Sequence, residues 1–582
     1  MRRRSRAESG RGRPGRVAAR AGRILASWLV LALFLAGFFS GAAFAETAVD
    51  VLTRFQVVPS FLRTVLSGGG ALAGGFVVVL AVTVVFGRVY CSSLCPLGTV
   101  QDLFIAASGK VRRRRYHYRR SQWIARLTVL AALVGAAALG TTAIINLTDP
   151  YAFFGRITRD MVTPVVVLVS HGAAATARAF GLFWAPWDLP IDVPAMGVTF
   201  VTFVALGWAS VRFGRGFCNT LCPVGTVLAL VGGRPLFGMR IDPETCISCG
   251  ICESVCKAAC ASSNEKRIDS ANCVSCFDCV DVCPVDALHY GTRRVSNGRR
   301  SGAGGTRDVA TQSAATRRGT ATRSTSDISR RSFLSRVLAG TGGAAAYSVF
   351  PVSFAFRKRT RGPEGRANTP ATPPGSHSRD HFTSRCVACH LCVSRCPTNV
   401  LQPSVFEYGF AGLMQPVMDY SRGFCEYECN VCSQVCPTGA IMPVTLSHKK
   451  LISIGEVHFI EDRCVVFTDG TACGACAEVC PTEAVHMVPY RGHVTQPETD
   501  PDLCIGCGNC EYACPVDGGK AIYVEGKAVH ELRAEPESEP GRPSDRARAP
   551  EAPATGEGTG SGNGGLAPEE PLPGPGEEPW PF

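Results

Sequence analysis

The chain carries two cysteine runs near its centre, Cys246-Ile-Ser-Cys249-Gly-Ile-Cys252-Glu-Ser-Val-Cys256 and Cys273-Val-Ser-Cys276-Phe-Asp-Cys279-Val-Asp-Val-Cys283. Both have the spacing C-x2-C-x2-C-x3-C. In bacterial iron–sulfur proteins this spacing supplies three thiolates to one [4Fe–4S] cube and the fourth to the other cube of a pair. We therefore predict two crossed ligand sets. They are Cys246, Cys249 and Cys252 with Cys283, and Cys273, Cys276 and Cys279 with Cys256.

An extra thiol leaves the second of these sets open. Pro284 follows Cys283, as is usual after a fourth ligand, but Lys257 follows Cys256. Cys260 lies four residues beyond Cys256 and is an alternative to it as the fourth ligand.

Four further cysteine groups occupy residues 385–525, and each of them ends in Cys-Pro. They form two pairs, Cys386, Cys389, Cys392, Cys396 with Cys425, Cys429, Cys432, Cys436, and Cys464, Cys473, Cys476, Cys480 with Cys504, Cys507, Cys510, Cys514. The gaps Cys425–Cys429 and Cys464–Cys473 are longer than the pattern, and a loop insertion before the second ligand accommodates both. Altogether we predict about six [4Fe–4S] clusters. Zinc sites or buried free thiols are the alternative interpretation.

One of these groups also matches a haem motif. Cys386-Val-Ala-Cys389-His390 fits the C-x-x-C-H pattern of c-type haem attachment. The cube needs the same two cysteines, and His390 falls at a variable position of its pattern. We therefore assign these cysteines to a cube and keep haem as the alternative.

Apolar segments long enough to span a bilayer occur in the first 225 residues. They are Ile24–Ala45, Val65–Gly87, Leu127–Ile145 and Ala195–Val211. Residues 1–23 hold nine Arg, and Lys110–Arg120 holds seven positive residues. Because positive charge stays in the cytoplasm, four spans return residues 240–290 to the cytoplasmic side.

Two segments of this domain have alternative interpretations. Residues 161–184 contain Pro164, His171 and Arg178, so we predict a helix at the outer face rather than a fifth span. Ala43-Phe44-Ala45 at the end of the first span also fits a signal-peptide cleavage site.

Two spans each lead, after an Arg, into the motif C-x3-C-P-x-G. The copies are Cys91-Ser-Ser-Leu-Cys95-Pro-Leu-Gly98 and Cys218-Asn-Thr-Leu-Cys222-Pro-Val-Gly225. The repetition predicts a duplicated hairpin with both motifs at one face. The four cysteines are either small buried residues that pack a span end or candidate redox thiols.

The predicted fold is multidomain, with a four-span helical membrane domain and three bacterial two-[4Fe–4S] α+β modules. The parts are a basic cytoplasmic tail (1–23), the membrane domain (24–225), a two-cluster module (240–290), a flexible linker (291–328), a signal-like segment (329–356), a second linker (357–384), a four-cluster region (385–525) and a disordered acidic Pro/Gly-rich tail (531–582). The net charge of +13 does not indicate nucleic-acid binding, because the Arg residues lie in the tail, one loop and the linkers. The chain shows no catalytic triad, Walker loop or flavin motif.

The signal-like segment bears on where the four-cluster region lies. Ser329-Arg-Arg-Ser-Phe-Leu334 matches a twin-arginine signal, which a receptor reads as an address. Such a signal predicts that residues 385–525 are exported folded to the periplasm. The alternative is a chance Arg pair in an Arg-rich linker, with both cysteine regions in the cytoplasm.

On these motifs, residues 24–290 resemble the NapH and MauN membrane ferredoxins, and residues 329–525 resemble the twin-arginine-exported NapG and MauM ferredoxins. The resemblance implies a component of a quinol dehydrogenase in the bacterial cytoplasmic membrane. It would pass electrons from the quinol pool to a periplasmic reductase or redox protein. We expect quinol contact near Cys91, Cys95, Cys218 and Cys222, with Asp149, Pro150 and His171 as rival contacts. Related polyferredoxins imply the alternative of a role in regulation or maturation of a metalloenzyme.

Overall fold

The computed structural model describes residues 14–292 and 369–533, apart from residues 41, 67–73, 112–115, 117, 120, 139, 188 and 518. The basic tail before residue 14, most of the loop at 110–120, the signal-like segment and the acidic tail after residue 533 lie outside the described residues, as does nearly all of the two linkers. The predictions for these segments therefore stay predictions.

The helical domain covers residues 14–231 and comes first in the chain. Its helices are α1 (Pro14–Phe39), α2 (Ala43–Arg54), α3 (Val57–Leu66), α4 (Gly74–Phe86), α5 (Tyr90–Ser93), α6 (Pro96–Val111), α7 (Trp123–Ala138), α8 (Ala143–Thr148), α9 (Pro150–Ile157), α10 (Thr163–Ala179), α11 (Val193–Phe213), α12 (Gly216–Thr220) and α13 (Pro223–Val231). A π-helical turn, Thr158–Val162, joins α9 to α10.

The apolar helices fall on the predicted spans but have different bounds. Three runs are long and apolar enough to cross a membrane, namely Ala18–Phe39, Pro150–Ala179 and Val193–Phe213, while α4 and α7 are shorter apolar helices. The first helix ends at Phe39 rather than Ala45. The third ends at Ala138, because the chain turns at Gly140 with φ +74° and restarts as α8. The sequence patterns did not predict α2 and α3, which pack beside α1.

The first cysteine module (residues 237–292) follows the helical domain. Strand β1 (Phe237–Ile241) pairs antiparallel with β4 (Leu288–Thr292), and β2 (Ala261–Ser262) pairs with β3 (Arg267–Ile268). The short helices α14 (Ile251–Val255) and α15 (Asp278–Asp281) each lie within a cysteine run. The module is thus α+β, with its sheet closing over the cysteines.

The second cysteine region (residues 369–533) repeats this architecture in larger form. Its helices are α16 (Arg379–Arg385), α17 (Leu391–Ser394), α18 (Val431–Val435), α19 (Leu446–Leu451), α20 (Val465–Thr468), α21 (Ala475–Glu478) and α22 (Asn509–Ala513). Its strands are β5 (Leu401–Pro403), β6 (Pro416–Met418), β7 (Ile452–Phe459), β8 (Val485–Arg491), β9 (Val494–Thr499) and β10 (Ile522–Leu532). They pair antiparallel as β5 with β6, β7 with β10 and β8 with β9.

Helix α1 contacts one cysteine region at each of its ends. Near its start, Arg20 pairs with Asp278 at 3.0 Å and with Asp281 at 2.7 Å in the first module. Just beyond its end, Arg395 of the second region donates to the Ser40 carbonyl and pairs with Glu46. Arg20 and Ser40 are 20 residues apart, so at 1.5 Å per residue the contacts with the two regions lie roughly 30 Å apart along α1.

Two other apolar helices, α7 and α11, run between these two ends, and a third, α4, reaches the end at the first module. Helix α4 ends with Phe86 stacked on Phe237 of the first module. Helix α7 begins with Arg126 bonded to Asn272 of the first module, and the chain behind it reaches the second region where Thr142 bonds to the Cys386 carbonyl. Helix α11 begins beside the second region and is followed by Arg215, whose N–H donates to the Lys257 carbonyl. The crossings therefore alternate in direction.

Helix α10 behaves differently from these four. The loop behind it folds back, because the Trp187 N–H donates to Ser170 and Arg159 donates to the Pro190 carbonyl. The segment thus begins and ends near the same end of the helical domain, although Pro150–Ala179 is long and apolar enough to span a membrane. Because the segment returns to the end where it began, both C-x3-C-P-x-G motifs can lie at the same face of the helical domain.

Candidate cluster sites and the core between them

The crossed cysteine sets of the first module line two separate cavities. Cys246, Cys249, Cys252 and Cys283 line one of them. The other is lined by Cys273, Cys276, Cys279, Cys256 and Cys260. The Sγ atoms of Cys256 and Cys260 lie 3.5 Å apart, so the structure places both candidates for the fourth position beside one site.

The second region brings together the other four crossed sets. Cys396, Cys425, Cys429 and Cys432 line one cavity. Burial raises the pKa of Cys386, Cys464 and Cys510, and in each case the fourth cysteine of the crossed set lies near enough to raise it further. These fourth cysteines are Cys436, Cys514 and Cys480 respectively. Because ligands bind as thiolates, loading such sites releases protons.

A repeated backbone turn shapes four of the six groups. The second and fourth residues after the first cysteine have left-handed φ values in each of them, at Ser248 and Gly250, Ser275 and Phe277, Ala388 and His390, and Gly506 and Gly508. The turn aims amides at sulfur, since the Ala388 N–H lies 3.4 Å from Cys386 Sγ and the Gly506 N–H lies 3.3 Å from Cys504 Sγ. Such donors favour the negative charge of a thiolate-bound cube. The donor set therefore fits the cofactor.

The thiols are spread more widely than a single metal ion requires. Among the residues that the structure describes, no group of three or more His, Cys, Asp or Glu side chains gathers closely enough to hold one ion. Tetrahedral zinc needs four ligands on one atom, whereas each cysteine of a cube binds a different iron.

The His390 ring bears on the haem alternative. The ring is fully buried, its Nε2 lies 2.8 Å from the Met414 carbonyl, and its Nδ1 lies 3.7 Å from Asp160. Asp160 also accepts a hydrogen bond of 2.5 Å from Thr199 on α11. Protein groups thus face both ring nitrogens, and His390 joins the second region to the helical domain.

The two C-x3-C-P-x-G motifs interlock through the arginine before each of them. Arg88, before the first motif, donates to the Cys218 carbonyl of the second at 3.1 Å. Arg215, before the second motif, donates to the Cys91 carbonyl of the first at 2.6 Å. A pseudo-twofold pair of contacts therefore locks the hairpins together, and the motif is better written R-x2-C-x3-C-P-x-G.

The four cysteines of these motifs lie in the core. Each is at most 5% exposed, and none forms a disulfide. Cys218 Sγ bonds to Gln101 Oε1 at 3.0 Å, and Cys222 Sγ accepts the Gly225 N–H at 3.3 Å. One apolar cluster holds Cys91 and Cys95 together with Cys256 of the first module and Phe153 of α9. The thiols thus lie between the first module and α9 rather than at an open surface.

The sequence showed an Arg before each motif but did not predict that Arg88 and Arg126 are buried and face the first module. Arg88 donates to the Ala271 carbonyl at 2.9 Å, and Arg126 donates to Asn272, the residue before Cys273. Arg88 is fully buried and has no carboxylate partner among the described residues. A buried cation needs an opposing charge, and an anionic cube on Cys273 would supply it. The signal available in the sequence was the Arg repeated three residues before each motif.

Helix α9 separates these thiols from the second region. Asp149 caps it by accepting the Ala152 N–H at 2.8 Å, and Pro150 is buried in its first turn. Tyr151 packs in the cluster that contains Cys389, while Phe153 packs beside Cys91. His171, the third rival quinol contact, is exposed on α10.

Comparison with known proteins gives matches over both cysteine regions and both membrane motifs. A family described as a 4Fe-4S binding domain matches residues 69–115 and 194–241. Families described as 4Fe-4S dicluster domains match residues 238–296, 385–441, 424–484 and 470–517.

Individual relatives each correspond to part of the chain. Ferredoxin-type protein NapF of Escherichia coli K12 is 28% identical over 160 residues, 27% of this chain and 88% of its own length. Methylamine utilization ferredoxin-type protein MauN of Methylorubrum extorquens is 28% identical over 246 residues, 40% of this chain and 73% of its own. Ferredoxin-type protein NapG of Escherichia coli K12 is 29% identical over 204 residues, which are 32% of this chain and 82% of its own length. The predicted resemblance to Nap and Mau ferredoxin-type proteins is confirmed.

Proposed function

We propose that this chain is a membrane-bound electron carrier that oxidises quinol and relays electrons through about six [4Fe–4S] clusters to a periplasmic acceptor. The observation that carries the proposal is the position of α1, whose two ends contact the two cysteine regions. An apolar helix of this length matches the hydrocarbon core of a bilayer. The first module then lies at the arginine-rich cytoplasmic end and the second region at the opposite end.

The second region provides a continuous series of cluster sites leading away from the helical domain. The set that includes Cys389 adjoins α9, because Gly155 lies directly against the Cys389 backbone. Its crossover partner is the set of Cys425. The Cys425 N–H donates to the Cys507 carbonyl at 2.8 Å, which brings the set of Cys507 next to the set of Cys425.

The protein's part in this series is to hold the ligands and to exclude water. When bound, each cube would accept and release a single electron. Cys392 and Cys510 are buried with their neighbours in one apolar cluster, which keeps bulk water from the sites. Burial raises the pKa of the Cys425 thiol to about 11, and the ammonium of Lys449 opposes that rise. Lys449 is thus placed to offset the negative charge of an occupied site.

The experiment is to purify the chain anaerobically and mix it with a reduced short-chain quinol. We expect about 24 iron and 24 acid-labile sulfide per chain, from six cubes, and reduction of clusters by the quinol. Iron near half that value, with zinc on the remaining thiols, would contradict the cluster assignment. Full iron content without any reduction by quinol would contradict the quinol step alone.

A further inference from the structure

We propose that the quinol ring binds in a cavity between the end of α1, the π-helical turn and the cysteine turn of the second region. This inference rests on the proposed function and names its site. The cavity measures about 280 Å³, near the lower end of ordinary ligand sites. Its lining residues are Phe38, Phe39, Arg159, Thr163, Trp187, Leu189, Ser394, Pro397 and Asn399.

The cavity lies where a membrane-dissolved molecule could enter. Phe38 and Phe39 end one candidate span, and Thr163 lies within another. Trp187 is half exposed in the loop that folds back toward Arg159. Aromatic residues of this kind mark the boundary between lipid and water. A ring with a long apolar tail could therefore enter with the tail remaining in the lipid.

The lining has the mixed chemistry that a dihydroxy ring requires. Phe38, Phe39 and Leu189 offer apolar walls for the ring faces. Ser394 also lines the cavity, and its Oγ is buried with no hydrogen-bond partner among the described residues. Arg159 and Asn399 add polar groups to the same lining.

The wall formed by the second region is also where electrons would leave. Ser394 lies between Cys392 and Cys396 in the sequence, and the crossover assigns these two cysteines to different cubes. Oxidation of quinol to quinone releases two electrons and two protons. Each of the two cubes would accept one electron, and the protons would pass to water on the side of the second region. No other reactant is needed.

The four C-x3-C-P thiols are a poorer place for the ring. Each is at most 5% exposed within the interlocked motifs, so a ring could enter only after those motifs separate. The proposal therefore differs from the quinol contact that the sequence indicated near Cys91, Cys95, Cys218 and Cys222, which stays the alternative site.

The test uses the full-length, cluster-loaded protein in detergent, with a reduced short-chain quinol as the electron donor. In Ser394→Phe the new ring would fill the cavity, and in Trp187→Ala part of its wall would be missing. We expect each variant to slow quinol-driven cluster reduction at least tenfold, while dithionite still reduces the clusters fully. An azido-quinone should label wild-type protein on peptides containing Phe39 or Trp187.

The control is Leu532→Phe, which places a Phe ring in a second cavity of that region, lined by Gly375 and His530. It should leave the quinol rate unchanged. If quinol reduces wild-type protein and both cavity variants equally fast, the cavity is not the site and the proposed function stands. If quinol reduces none of the proteins, the proposed function itself is wrong. Labelling of peptides around Cys91 instead would also overturn the cavity.

Discussion

At the scale of single residues, two glycines allow the membrane motifs to interlock. A methyl group on Gly98 would collide with the Cys91 carbonyl and come 2.8 Å from the Arg215 guanidinium. A methyl group on Gly225 would collide with the Cys218 carbonyl and come 2.9 Å from Arg88. The last residue of each motif therefore leaves room for the arginine that belongs to the other copy.

We predict that Gly98→Ala and Gly225→Ala each destabilise the helical domain by about 1–3 kcal/mol, because the carbonyl that blocks the methyl group is backbone and cannot move aside cheaply. The measurement is thermal unfolding of the purified protein in detergent. Gly197→Ala is the matched control, because that helical glycine has open space around it. Equal melting temperatures for all three variants would contradict the interlocked arrangement.

The contacts of single residues also favour Cys256 over Cys260 as the fourth ligand. Hydrogen bonding from the Cys260 side chain and then from backbone amides lowers the pKa of Cys256 to about 6, whereas the pKa of Cys260 is raised by its bonds to Cys256 and Cys273. Since the thiolate is the form that binds metal, Cys256 is the better fourth ligand. We predict that Cys256→Ser loses one cluster, about four iron atoms, and that Cys260→Ser keeps the wild-type iron content and reduced-state EPR signal. The reverse result would assign the ligand to Cys260.

Two histidines of the second region predict a response to acid. Burial lowers the pKa of His530 and of His381 to about 4 each, and the His530 N–H donates to the His377 carbonyl. The unfolded chain takes up protons first, near its ordinary value of 6.5. Stability from these groups is therefore complete above that pH and is lost as pH falls from about 6.5 toward 4.

We expect His530 alone to contribute about 2 kcal/mol to this loss after allowance for partial solvent screening. The measurement is the melting temperature at pH 7.5 and pH 5 for wild type and His530→Gln. Because metal sites are themselves sensitive to pH, His486→Gln serves as the control, being an exposed histidine paired with Glu498. A His530 variant that loses as much stability as wild type in acid would refute this account.

At the scale of elements, patterns in the sequence identified which segments are apolar but not how they end. Helices α1, α4, α7 and α11 could be predicted as apolar segments, although α4 and α7 are shorter than a full span. Helices α2 and α3 could not, since Glu46, Asp50 and Arg54 interrupt the apolar pattern there. Glu46 pairs with Arg395, 349 residues away, and no local pattern contains such a contact.

The packing of α1 predicts that it remains attached to the protein. Phe34 and Phe38 are fully buried against α9, and Arg23 bonds to Asp102 on α6. Cleavage after Ala45 would remove α1 and expose this core. The helical domain would lose several kcal/mol of stability, since each buried Phe contributes about 3–5 kcal/mol. We expect intact mass and N-terminal sequencing of membrane-purified protein to find α1 present. A stable protein that begins at Glu46 would contradict its role.

At the scale of the whole molecule, the spacing of the cysteines was the main basis for predicting which cysteine runs pair. The crossed partners come together because a two-cluster fold brings distant runs side by side, and the spacing encodes that arrangement. The contacts of Asp160 with His390 and of Arg88 with Ala271 were not predictable. They join segments about 180 to 230 residues apart, and they depend on how complete domains dock.

The same docking predicts that the two cysteine regions lie on opposite sides of the membrane. Helices α1, α7 and α11 run between the two regions and α4 ends at the first module, and an alternation of their directions would return the first module to the side where the chain begins. The link between the regions, residues 293–368, has 76 residues. At about 3.3 Å per residue it could reach roughly 250 Å, far more than the length of α1. Length therefore does not prevent the second region from docking at the far end.

What decides the matter is how a folded, cluster-loaded region crosses the membrane, and the Arg pair at 330–331 offers a route through a receptor-read address. We predict that protease added from the periplasmic side cuts the second region in wild type, and that Arg330→Lys with Arg331→Lys leaves it protected. The matched control is the same change at Arg317 and Arg318, a second Arg pair of the linker, which should remain cleavable. If the wild-type region is already protected, the four helices do not separate the two cysteine regions across the bilayer, and the contacts at both ends of α1 would need an assembly that lies wholly on one side.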